Sequence, residues 1–319
     1  MPRRTAPVSL PVLPPMLATP GGMPRTAGEW AFEVKWDGHR VMSYLDGTGG
    51  LRLLSRNGHD ITARLPELAE LLDLLPHRTA VLDGEVVVLD EHGHPDFGRL
   101  QERMAPRRPE VPIRLGKAVS PVTLMVFDVL MLDGDPTVGM SYRGRREVLE
   151  TLSLDGERVV CPPVWPGSAS REAVAWTRAQ GLEGVIAKRL SSTYAPGSRT
   201  PDWIKIKHTR SVDVRIGGWV PTGTTVKSLL LGVPDGGGLR YVGKVGTGFG
   251  EAERKVLAGL LERFAVDASP FTAGVGPDRV DPIRWVRPVL AAEVEYLSYT
   301  TAGLLRQPIW KGLRGDHGD

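Results

Sequence analysis

A lysine followed shortly by Asp-Gly is the first feature of this sequence that indicates chemistry. Lys35 lies in the segment FEVKWDGHR, although the chain of 319 residues has nine lysines among its 40 basic residues. If residues 31–37 form a strand, alternation places Glu33, Lys35 and Asp37 on one face and the apolar side chains on the other. Because arginine is almost always charged, lysine is the residue that supplies a nucleophilic amine. The same pattern also fits a half-exposed strand with a solvated charged face.

The lysines are concentrated in a few such segments. In DWIKIK, alternation places Lys205 and Lys207 on one face of a strand, where the two ammonium groups repel each other unless an anion lies between them. Five of the nine lysines lie in motif-like segments, namely Lys35, Lys188, Lys205, Lys207 and Lys311. In a chain with so few lysines, this concentration favours a function for them.

Carboxylates recur next to these lysines. In LDGEVVVLD, Asp83 and Glu85 share one face of a very apolar strand, and in EGVIAKR Glu183 stands at the entry of the strand that carries Lys188. Carboxylate oxygens are the ligands that hard divalent cations prefer. Glu183 also fits a simpler interpretation, in which it is the charged residue of a turn.

Short strands and helices up to about residue 208 must position these residues. Strand-length runs bounded by turn residues occur in WAFEVKW, LRLLS, AVLDGEVVVLD, VTLMVFDVLML, EGVIAKRL and DWIKIK. Helical periodicity occurs in RLPELAELLDLL, SYRGRREVLETL and SREAVAWTRAQ, where Ser170 is the expected N-cap. We therefore predict a domain of intermixed strands and helices over residues 1–209.

Strands dominate after residue 209. They are predicted in VRIGGWV, SLLLGV, LRYVGKVG and IRWVRPVLAAEVEYLSY, with one strong helix in GEAERKVLAGLLERF. Five short strands and one helix in about 105 residues suit the oligonucleotide-binding (OB) type of β-barrel. We place a hinge near residues 209–213 and predict an OB-fold domain over residues 210–319.

Composition excludes several classes of protein. The formal net charge is +3 and neither half of the chain is basic throughout, so any polyanion must bind through local faces. No run of about 18 apolar residues occurs, which argues against a membrane span.

Cys161 is the single cysteine, which excludes an internal disulfide and a cysteine zinc site. No P-loop motif occurs, and His92 and His94 of EHGH are expected in a surface turn. We expect a cytoplasmic protein.

In order, these segments resemble the motifs of the covalent nucleotidyltransferases, which comprise ATP-dependent DNA ligases, RNA ligases and mRNA capping enzymes. The matching segments are KWDGHR with Lys35, Asp37 and Arg40; SRNGHD with Arg56; LDGEVVV with Glu85; VFDVLMLDG with Phe127; EGVIAKR with Glu183 and Lys188; WIKIK with Lys205 and Lys207; and LLRQPIWKGLRGD with Arg306, Lys311 and Arg314. The phrases LDGEVVVLD, EGVIAKR, IGGW, VGTGF and WKGLR look most like the ligase module of bacterial non-homologous end-joining DNA ligases.

This resemblance implies a fold and a reaction. The fold class is α+β, with a nucleotidyltransferase (ATP-grasp-like) domain of antiparallel sheets and flanking helices, followed by a β-barrel OB-fold domain. Lys35 would attack the α-phosphate of ATP, release pyrophosphate and form lysyl–AMP. AMP would pass to the 5′-phosphate of a DNA nick, and the 3′-hydroxyl would then displace AMP and seal the strand. Positioning and charge neutralisation do most of the work in such transfers.

The resemblance also assigns roles to the other motif residues. Lys205 and Lys207 would hold the α-phosphate and, as nearby cations, favour the neutral amine of Lys35, with Asp37 in the same catalytic group. The implied nucleotide contacts are Glu33 to the adenine amino group, Arg40 to the ribose or the nick phosphate, Arg56 to a phosphate, Phe127 stacked on adenine, Lys188 in the same pocket, and Arg306, Lys311 and Arg314 to the pyrophosphate.

Some of these roles have alternatives. Glu85 and Glu183 suit Mg²⁺ or Mn²⁺, but a ribose contact fits Glu85 equally well. Judged alone, Phe127 fits a plain core position, and Arg306 and Arg314 fit a solvated basic tail.

The implied partner is nicked or broken duplex DNA, bound by a monomer without membrane attachment. By analogy, a Ku-like end-binding protein or a separate repair polymerase would act with it. The chain leaves no room for polymerase or phosphoesterase modules, so we expect a free-standing minimal ligase. Two alternatives are RNA ligation or capping, which shares the first five motifs, and a non-catalytic nucleic-acid-binding protein that keeps the fold.

Overall fold

Mostly antiparallel strands form the structure, a computed structural model that describes residues 10–105, 120–272, 282–300 and 302–314. The chain divides into two units, Met1–His208 and Thr209–Asp319. No helix within the described ranges has the length and apolar character needed to span a bilayer.

Two sheets with flanking helices form the first unit. Its strands are β1 (Leu17–Pro20), β2 (Trp30–Val34), β3 (His39–Asp46), β4 (Leu51–Ser55), β5 (Thr79–Val87), β6 (Thr123–Leu132), β7 (Asp135–Pro136), β8 (Val159–Val160), β9 (Trp165–Pro166), β10 (Gly184–Arg189) and β11 (Arg199–Lys207). Its α-helices are α1 (Glu70–Leu74), α2 (Phe97–Met104), α3 (Tyr142–Thr151) and α4 (Ser170–Ala179), and 3-10 turns cover Ala27–Glu29, Thr62–Arg64, Pro66–Ala69 and Gly167–Ala169.

The first sheet has the order β1, β11, β10, β2, β9, in which β1 runs parallel to β11 and the other neighbours are antiparallel. Strand β2 ends before the predicted residue 37, and all its residues are buried. Phe32 packs with Ala173 of α4 on one face. The alternative interpretation of a solvated charged face does not hold for Glu33, because Tyr142 covers it on the other side of the strand.

The second sheet has the order β4, β3, β5, β6, β7, with β8 parallel to β6. Alternation along β5 buries Leu82 and Val86 in the main core, together with Leu149 of α3. Asp83 and Glu85 therefore point to the opposite face of β5, as the sequence predicted. This face carries most of the polar groups described below.

Polar side chains start two of the helices. Asp96 caps α2 and Ser141 caps α3, each accepting a hydrogen bond from a backbone N–H of the first turn. Helix α4 begins at Ser170 itself with Ala169 at the N-cap, so the predicted Ser170 cap was wrong. Helix α1 covers only part of the helix predicted in RLPELAELLDLL, because a 3-10 turn precedes it.

Seven strands and one helix form the described part of the second unit. They are β12 (Arg210–Thr222), β13 (Thr225–Asp235), β14 (Gly238–Val245), α5 (Glu251–Glu262), β15 (Ala265–Val266), β16 (Arg284–Val286), β17 (Ala291–Tyr296) and β18 (Ile309–Leu313). The structure thus adds β15 and β18 to the five predicted strands. Strand β15 has two residues and gives little periodic signal, and β18 lies within the segment LLRQPIWKGLRGD.

Strand order in this unit runs β14, β13, β12, β16, β15, with β17 also beside β12 and β18 beside β17. Leu257 and Leu261 of α5 are buried in the same core as Leu229 of β13. The Trp310 N–H donates to the Thr247 carbonyl at 3.0 Å, which brings β18 next to the segment that follows β14. The unit is therefore a strongly curved sheet with one helix packed on it.

Candidate nucleotide site

One cavity of about 460 Å³ in the first unit collects eight of the predicted site residues. They are Glu33, Lys35, Arg40, Arg56, Glu85, Phe127, Lys188 and Lys205. Among the described residues, Asp37, Glu183 and Lys207 are not part of this wall. Arg306, Lys311 and Arg314 belong to the second unit.

Lys35 lies directly after β2, next to Glu183, which directly precedes β10. The Lys35 backbone N–H donates to the Gly184 carbonyl at 2.9 Å, and its ammonium binds Oε2 of Glu183. Lys207 of β11 binds the other oxygen of that carboxylate at 2.9 Å. The Lys35 side chain keeps 19% exposure, whereas that of Glu183 keeps 4%. One fixed carboxylate therefore orients an amine that a cavity ligand can still reach.

Charges around this carboxylate decide its ionisation. Burial raises the pKa of the Glu183 carboxyl, but Lys35 and Lys207 outweigh burial, so the pKa lies below its ordinary value. From the sequence, an anion between Lys205 and Lys207 was one way to offset their repulsion, whereas in the structure Glu183 lies between Lys35 and Lys207. Burial, and then the charge of Lys207, lowers the pKa of Lys205, which faces the cavity.

Gly38 and Gly184 allow their segments of backbone to lie close to the neighbouring strands β5 and β11. A Cβ on Gly38 would lie 2.2 Å from the carbonyl oxygen of Val86 in β5. Gly184 has φ +152°, and a Cβ there would lie 2.0 Å from the carbonyl oxygen of Ile206 in β11. The glycines of the DG and EG pairs are therefore required by geometry, because any side chain would push the strands apart.

Arg40 of β3 is held by Asp83 of β5. Its Nε and one terminal nitrogen contact the two Asp83 oxygens at 2.5 and 2.6 Å, and the same terminal nitrogen donates to the Met16 carbonyl at 3.2 Å. The Tyr194 hydroxyl also donates to Asp83, at 2.6 Å. Burial alone would lower the pKa of Arg40, but Asp83 raises it above its ordinary value. The guanidinium lies 4.6 Å from the centre of the Phe127 ring and packs against that ring in the cavity wall.

Glu33 is bound through one of its two oxygens. Oε1 accepts from the Tyr142 hydroxyl at 2.5 Å and from the Lys188 ammonium at 2.9 Å. Lys188 also donates to the Phe127 carbonyl at 3.3 Å and lies 4.0 Å from Asp128. Burial lowers the pKa of Lys188, although Glu33 and Asp128 oppose this change. The Lys188 side chain is 1% exposed, so it supports the cavity wall from behind.

Three rings surround the Lys188 ammonium. Its Nζ lies 4.2 Å from the ring centre of Trp203, 4.5 Å from Phe127 and 4.9 Å from Tyr142, close enough for cation–π attraction. Phe127 meets Trp203 edge-on, with centres 6.4 Å apart. We call these three rings the aromatic cage. Phe127 is partly buried against the core and also lines the cavity, so it is more than a core residue.

Glu85 is the most perturbed carboxyl in the cavity wall. Its pKa is raised to about 7, first by burial and then by the charges of Asp83 and Glu183, against the charges of Arg40 and Lys35. Glu85 and Glu183 are thus close enough for their charges to interact. Within the described ranges, no group of three or more His, Cys, Asp or Glu side chains is arranged to hold a metal ion. A divalent cation here would need oxygens from a ligand or from water as well.

Two predicted residues lie at the edge of this arrangement. Arg56 is exposed in the turn after β4 and lines the cavity rim. Asp37 lies in the turn after β2, outside the wall. Burial lowers the pKa of the neighbouring His39, and the charge of Asp37 opposes that change.

The basic residues of the last motif are paired within the second unit. Arg314 contacts Asp213 at 2.9 Å and Glu293 at 3.5 Å. Lys311 of β18 contacts Glu295 of β17 at 3.1 Å. Their side chains are about half exposed, as expected for a solvated basic segment.

Four residues at the site were not predicted. They are Asp128, Tyr142, Tyr194 and Trp203. Asp128 and Trp203 stand inside recognised motifs, so their positions were a usable signal. Tyr142 begins α3 and Tyr194 lies in a loop, and neither has a local pattern that indicates a role.

Two families of known proteins match the chain. Residues 15–207 match the family described as ATP dependent DNA ligase domain, and residues 222–317 match the ATP dependent DNA ligase C terminal region. The multifunctional non-homologous end joining DNA repair protein LigD of Mycobacterium tuberculosis is 42% identical over 309 residues, which are 95% of this chain and 39% of that protein. DNA ligase C1 of Mycolicibacterium smegmatis is 32% identical over 309 residues, which are 91% of this chain and 84% of that protein.

A solved structure resembles the whole fold. Mycobacterial DNA ligase D complexed with ATP and MES matches with a TM-score of 0.55 and 41% sequence identity over 95% of each chain. This match confirms the predicted α+β class, with a nucleotidyltransferase domain followed by an OB-fold domain. The chain spans about two fifths of the LigD relatives that it matches, 39% in the case above.

Proposed function

Because the chain belongs to the ATP-dependent DNA ligase family, we propose that it joins 3′-hydroxyl and 5′-phosphate ends in duplex DNA through a covalent lysyl–AMP intermediate. The observation that carries this proposal is the position of Lys35, which lines the cavity and whose amine binds the buried carboxylate of Glu183. The resemblance of the whole chain to LigD favours DNA ends as the substrate, in repair by end joining.

Each unit has its own role in this proposal. Residues 1–209 form the adenylation domain, which binds ATP and forms the intermediate. Residues 210–319 form the OB-fold domain, which carries the last motif. The solved relative named as a complex with ATP supports ATP as the nucleotide.

The first chemical step takes place at Lys35. Its nitrogen, once deprotonated, attacks the α-phosphorus of ATP; a nitrogen–phosphorus bond forms, the bond to the bridging oxygen breaks and pyrophosphate leaves. Glu183 orients the nitrogen, and Lys205 supplies positive charge on the cavity wall for the α-phosphate. Lys207 acts through Glu183, because its ammonium holds the carboxylate in place.

The base and the sugar are bound by the opposite part of the cavity. Phe127 stacks on the adenine, and Glu33 accepts from the adenine amino group. Arg40 has two of its nitrogens occupied, so its remaining terminal nitrogen contacts the ribose or the nick phosphate. Arg56 at the rim binds a phosphate, for which a guanidinium is well suited. Lys188 supports this pocket from beneath.

A divalent Mg²⁺ or Mn²⁺ fits the carboxylates of the site. Glu85 carries a raised pKa partly because Asp83 and Glu183 are negative, and such concentrated negative charge favours a hard cation. Glu85 and Glu183 would hold the ion together with phosphate oxygens, and the ion would neutralise charge on the triphosphate. A ribose contact remains the second role open to Glu85.

The last motif and the DNA complete the proposed cycle. Arg306, Lys311 and Arg314 of the last motif orient the pyrophosphate leaving group. Nicked or broken duplex DNA is the substrate of the two later steps. A Ku-like end-binding protein and a repair polymerase are the proposed partners, by analogy with the end-joining relatives.

The proposal is tested by the adduct itself. The purified protein is incubated with ATP and Mg²⁺ or Mn²⁺, and peptide mass spectrometry locates AMP. We expect AMP on Lys35, followed by sealing of a 5′-phosphorylated nick in duplex DNA and much slower sealing of the same nick in RNA. A chain that forms no lysyl–AMP with either metal would contradict the proposal.

A matched pair of variants identifies the nucleophile. Lys35→Ala is expected to form no adduct and to seal no nick from ATP while remaining folded. Lys255→Ala, which removes an exposed lysine of α5, is expected to form the adduct at the rate of the unmodified protein. Faster sealing of RNA nicks than of DNA nicks would instead favour RNA ligation as the function.

A further inference from the structure

The two oxygens of Glu33 have different environments. Oε1 accepts hydrogen bonds from both Tyr142 and Lys188, at 2.5 and 2.9 Å. Within the described part of the chain, the hydrogen bond and the ion pair of Glu33 both engage Oε1, and neither engages Oε2. Glu33 lines the cavity, so Oε2 is the oxygen left for a molecule bound there.

Tyr142 is confined to the role of donor. It is 1% exposed, and burial together with the charge of Glu33 raises the pKa of its hydroxyl well above the ordinary value. A phenol that stays protonated beside a carboxylate donates its hydrogen bond to a carboxylate oxygen. Because Tyr142 starts α3 behind the Ser141 cap, its ring position is set by the helix.

Lys188 makes the arrangement more rigid. The aromatic cage surrounds its ammonium, and the Phe127 carbonyl accepts from it. Phe127 and Glu33 are therefore linked through a single buried ammonium. A change in the angle of the Glu33 carboxylate would require one of two short hydrogen bonds to break.

We propose that Tyr142 is a specificity-determining positioning residue, which binds Oε1 of Glu33 so that Oε2 accepts from a 6-amino group on a purine nucleotide. An ionised carboxylate has no proton to donate, so it accepts from a 6-amino group and repels a 6-oxo group. This inference rests on the proposed function, because the nucleotide is detected through its transfer to Lys35.

Three nucleotides that differ only at purine C6 provide the test. They are ATP, inosine triphosphate with an oxo group, and purine riboside triphosphate with hydrogen. The rate of lysyl–nucleotide formation is measured over a range of concentrations for each. We expect the unmodified protein to prefer ATP to purine riboside triphosphate, and purine riboside triphosphate to inosine triphosphate.

Tyr142→Phe removes a single hydroxyl. Its kcat/KM for ATP is expected to fall about tenfold, equivalent to ~1.4 kcal/mol, mainly through a higher KM. Its kcat/KM for purine riboside triphosphate is expected to stay within about twofold, because that base has no amino group to misplace. Tyr44→Phe, whose hydroxyl binds the Leu13 backbone elsewhere in the unit, should leave both values unchanged.

The outcomes separate this inference from the proposed function. If Tyr142→Phe lowers kcat/KM equally for ATP and purine riboside triphosphate, the ratio of the two values is unchanged. That result would mean a merely structural role and would overturn the inference. If Tyr142→Phe fails to fold, Lys188→Met, which removes the other donor to Oε1, is compared in the same way. We expect the same loss of preference for ATP over purine riboside triphosphate. An unchanged ratio of the two kcat/KM values would again overturn the inference. Absence of any lysyl–nucleotide in the unmodified protein would contradict the proposed function itself.

Discussion

Lys35 and Glu183 form an ion pair between the end of β2 and the start of β10, and Lys207 shares the same carboxylate. The pair joins two neighbouring strands of one sheet, so the direction of the amine is fixed before any nucleotide binds. Glu183 is almost fully buried while Lys35 is not, which means that the carboxylate is the fixed partner.

Glu183→Gln tests the importance of this pair. A neutral amide cannot hold two ammonium groups as a carboxylate does, so lysyl–AMP formation is expected to slow by at least about tenfold, the loss of one charge-assisted hydrogen bond. Single-turnover rates with ATP measure the effect. Glu29→Gln breaks an exposed pair with Arg189 and serves as the control that should retain the full rate. Equal rates in the two variants would show that Glu183 does not position Lys35.

Glu85→Gln tests the raised pKa of a buried carboxyl. The pKa of Glu85 is about 7 in the folded protein against an ordinary value of 4.5, so the folded state holds this proton more tightly. The stabilising effect of that proton is complete below pH 4.5 and is lost as the pH rises through 7. The variant and the unmodified protein should therefore be similar at low pH, and the variant should be more stable at pH ~8, by at most about 3 kcal/mol.

Urea unfolding at about pH 5 and pH 8 measures this difference. The exposed Glu102→Gln is the control and should show a difference from the unmodified protein that does not change with pH. If the free energy of unfolding of Glu85→Gln differs from that of the unmodified protein by the same amount at both pH values, the raised pKa of Glu85 is refuted.

Asp83→Asn tests the buried pair with Arg40. The asparagine leaves a mostly buried guanidinium without its charge partner, which costs about 3–5 kcal/mol in comparable buried pairs. Asp133→Asn breaks the exposed pair with Arg78 and should cost less than about 1 kcal/mol. Asparagine also tolerates the left-handed backbone at position 133, where φ is 51°. Denaturant midpoints compare the stability of the two variants. Equal losses of stability would contradict the expectation that the buried pair contributes more than the exposed pair.

Arg314→Ala tests the role of the last motif. If this side chain orients pyrophosphate, its loss slows the reaction with ATP and leaves sealing of a pre-adenylated nick nearly intact. Arg263→Ala, which removes an exposed arginine after α5, is expected to change neither rate. The two assays are run on the same preparation, and an equal loss in both would refute the division of labour between the steps.

Local periodicity predicted much of the site. The alternation in DWIKIK placed Lys205 and Lys207 correctly on one face of β11, with Ile204 and Ile206 packed on the other. The position of Glu183 before β10 was also correct. These features depend on neighbours within a few residues, which a single sequence contains.

The contacts between distant segments could not be predicted in the same way. Tyr142 lies 109 residues from Glu33, and Tyr194 lies 111 residues from Asp83. The alternative of a solvated face on β2 fails because the residues that cover Glu33 come from α3 and β10. A pattern of polar side chains on a strand indicates a face but not what packs against that face.

The parallel pairing of β1 with β11 has a consequence for synthesis. Thr19 binds the Thr200 carbonyl across 181 residues of sequence, and both strands border the cavity. Contacts between such remote segments form late and slow the folding of a chain. A ribosome must therefore complete β11 before the pocket can close, and nascent chains arrested before residue 199 should not become labelled by ATP.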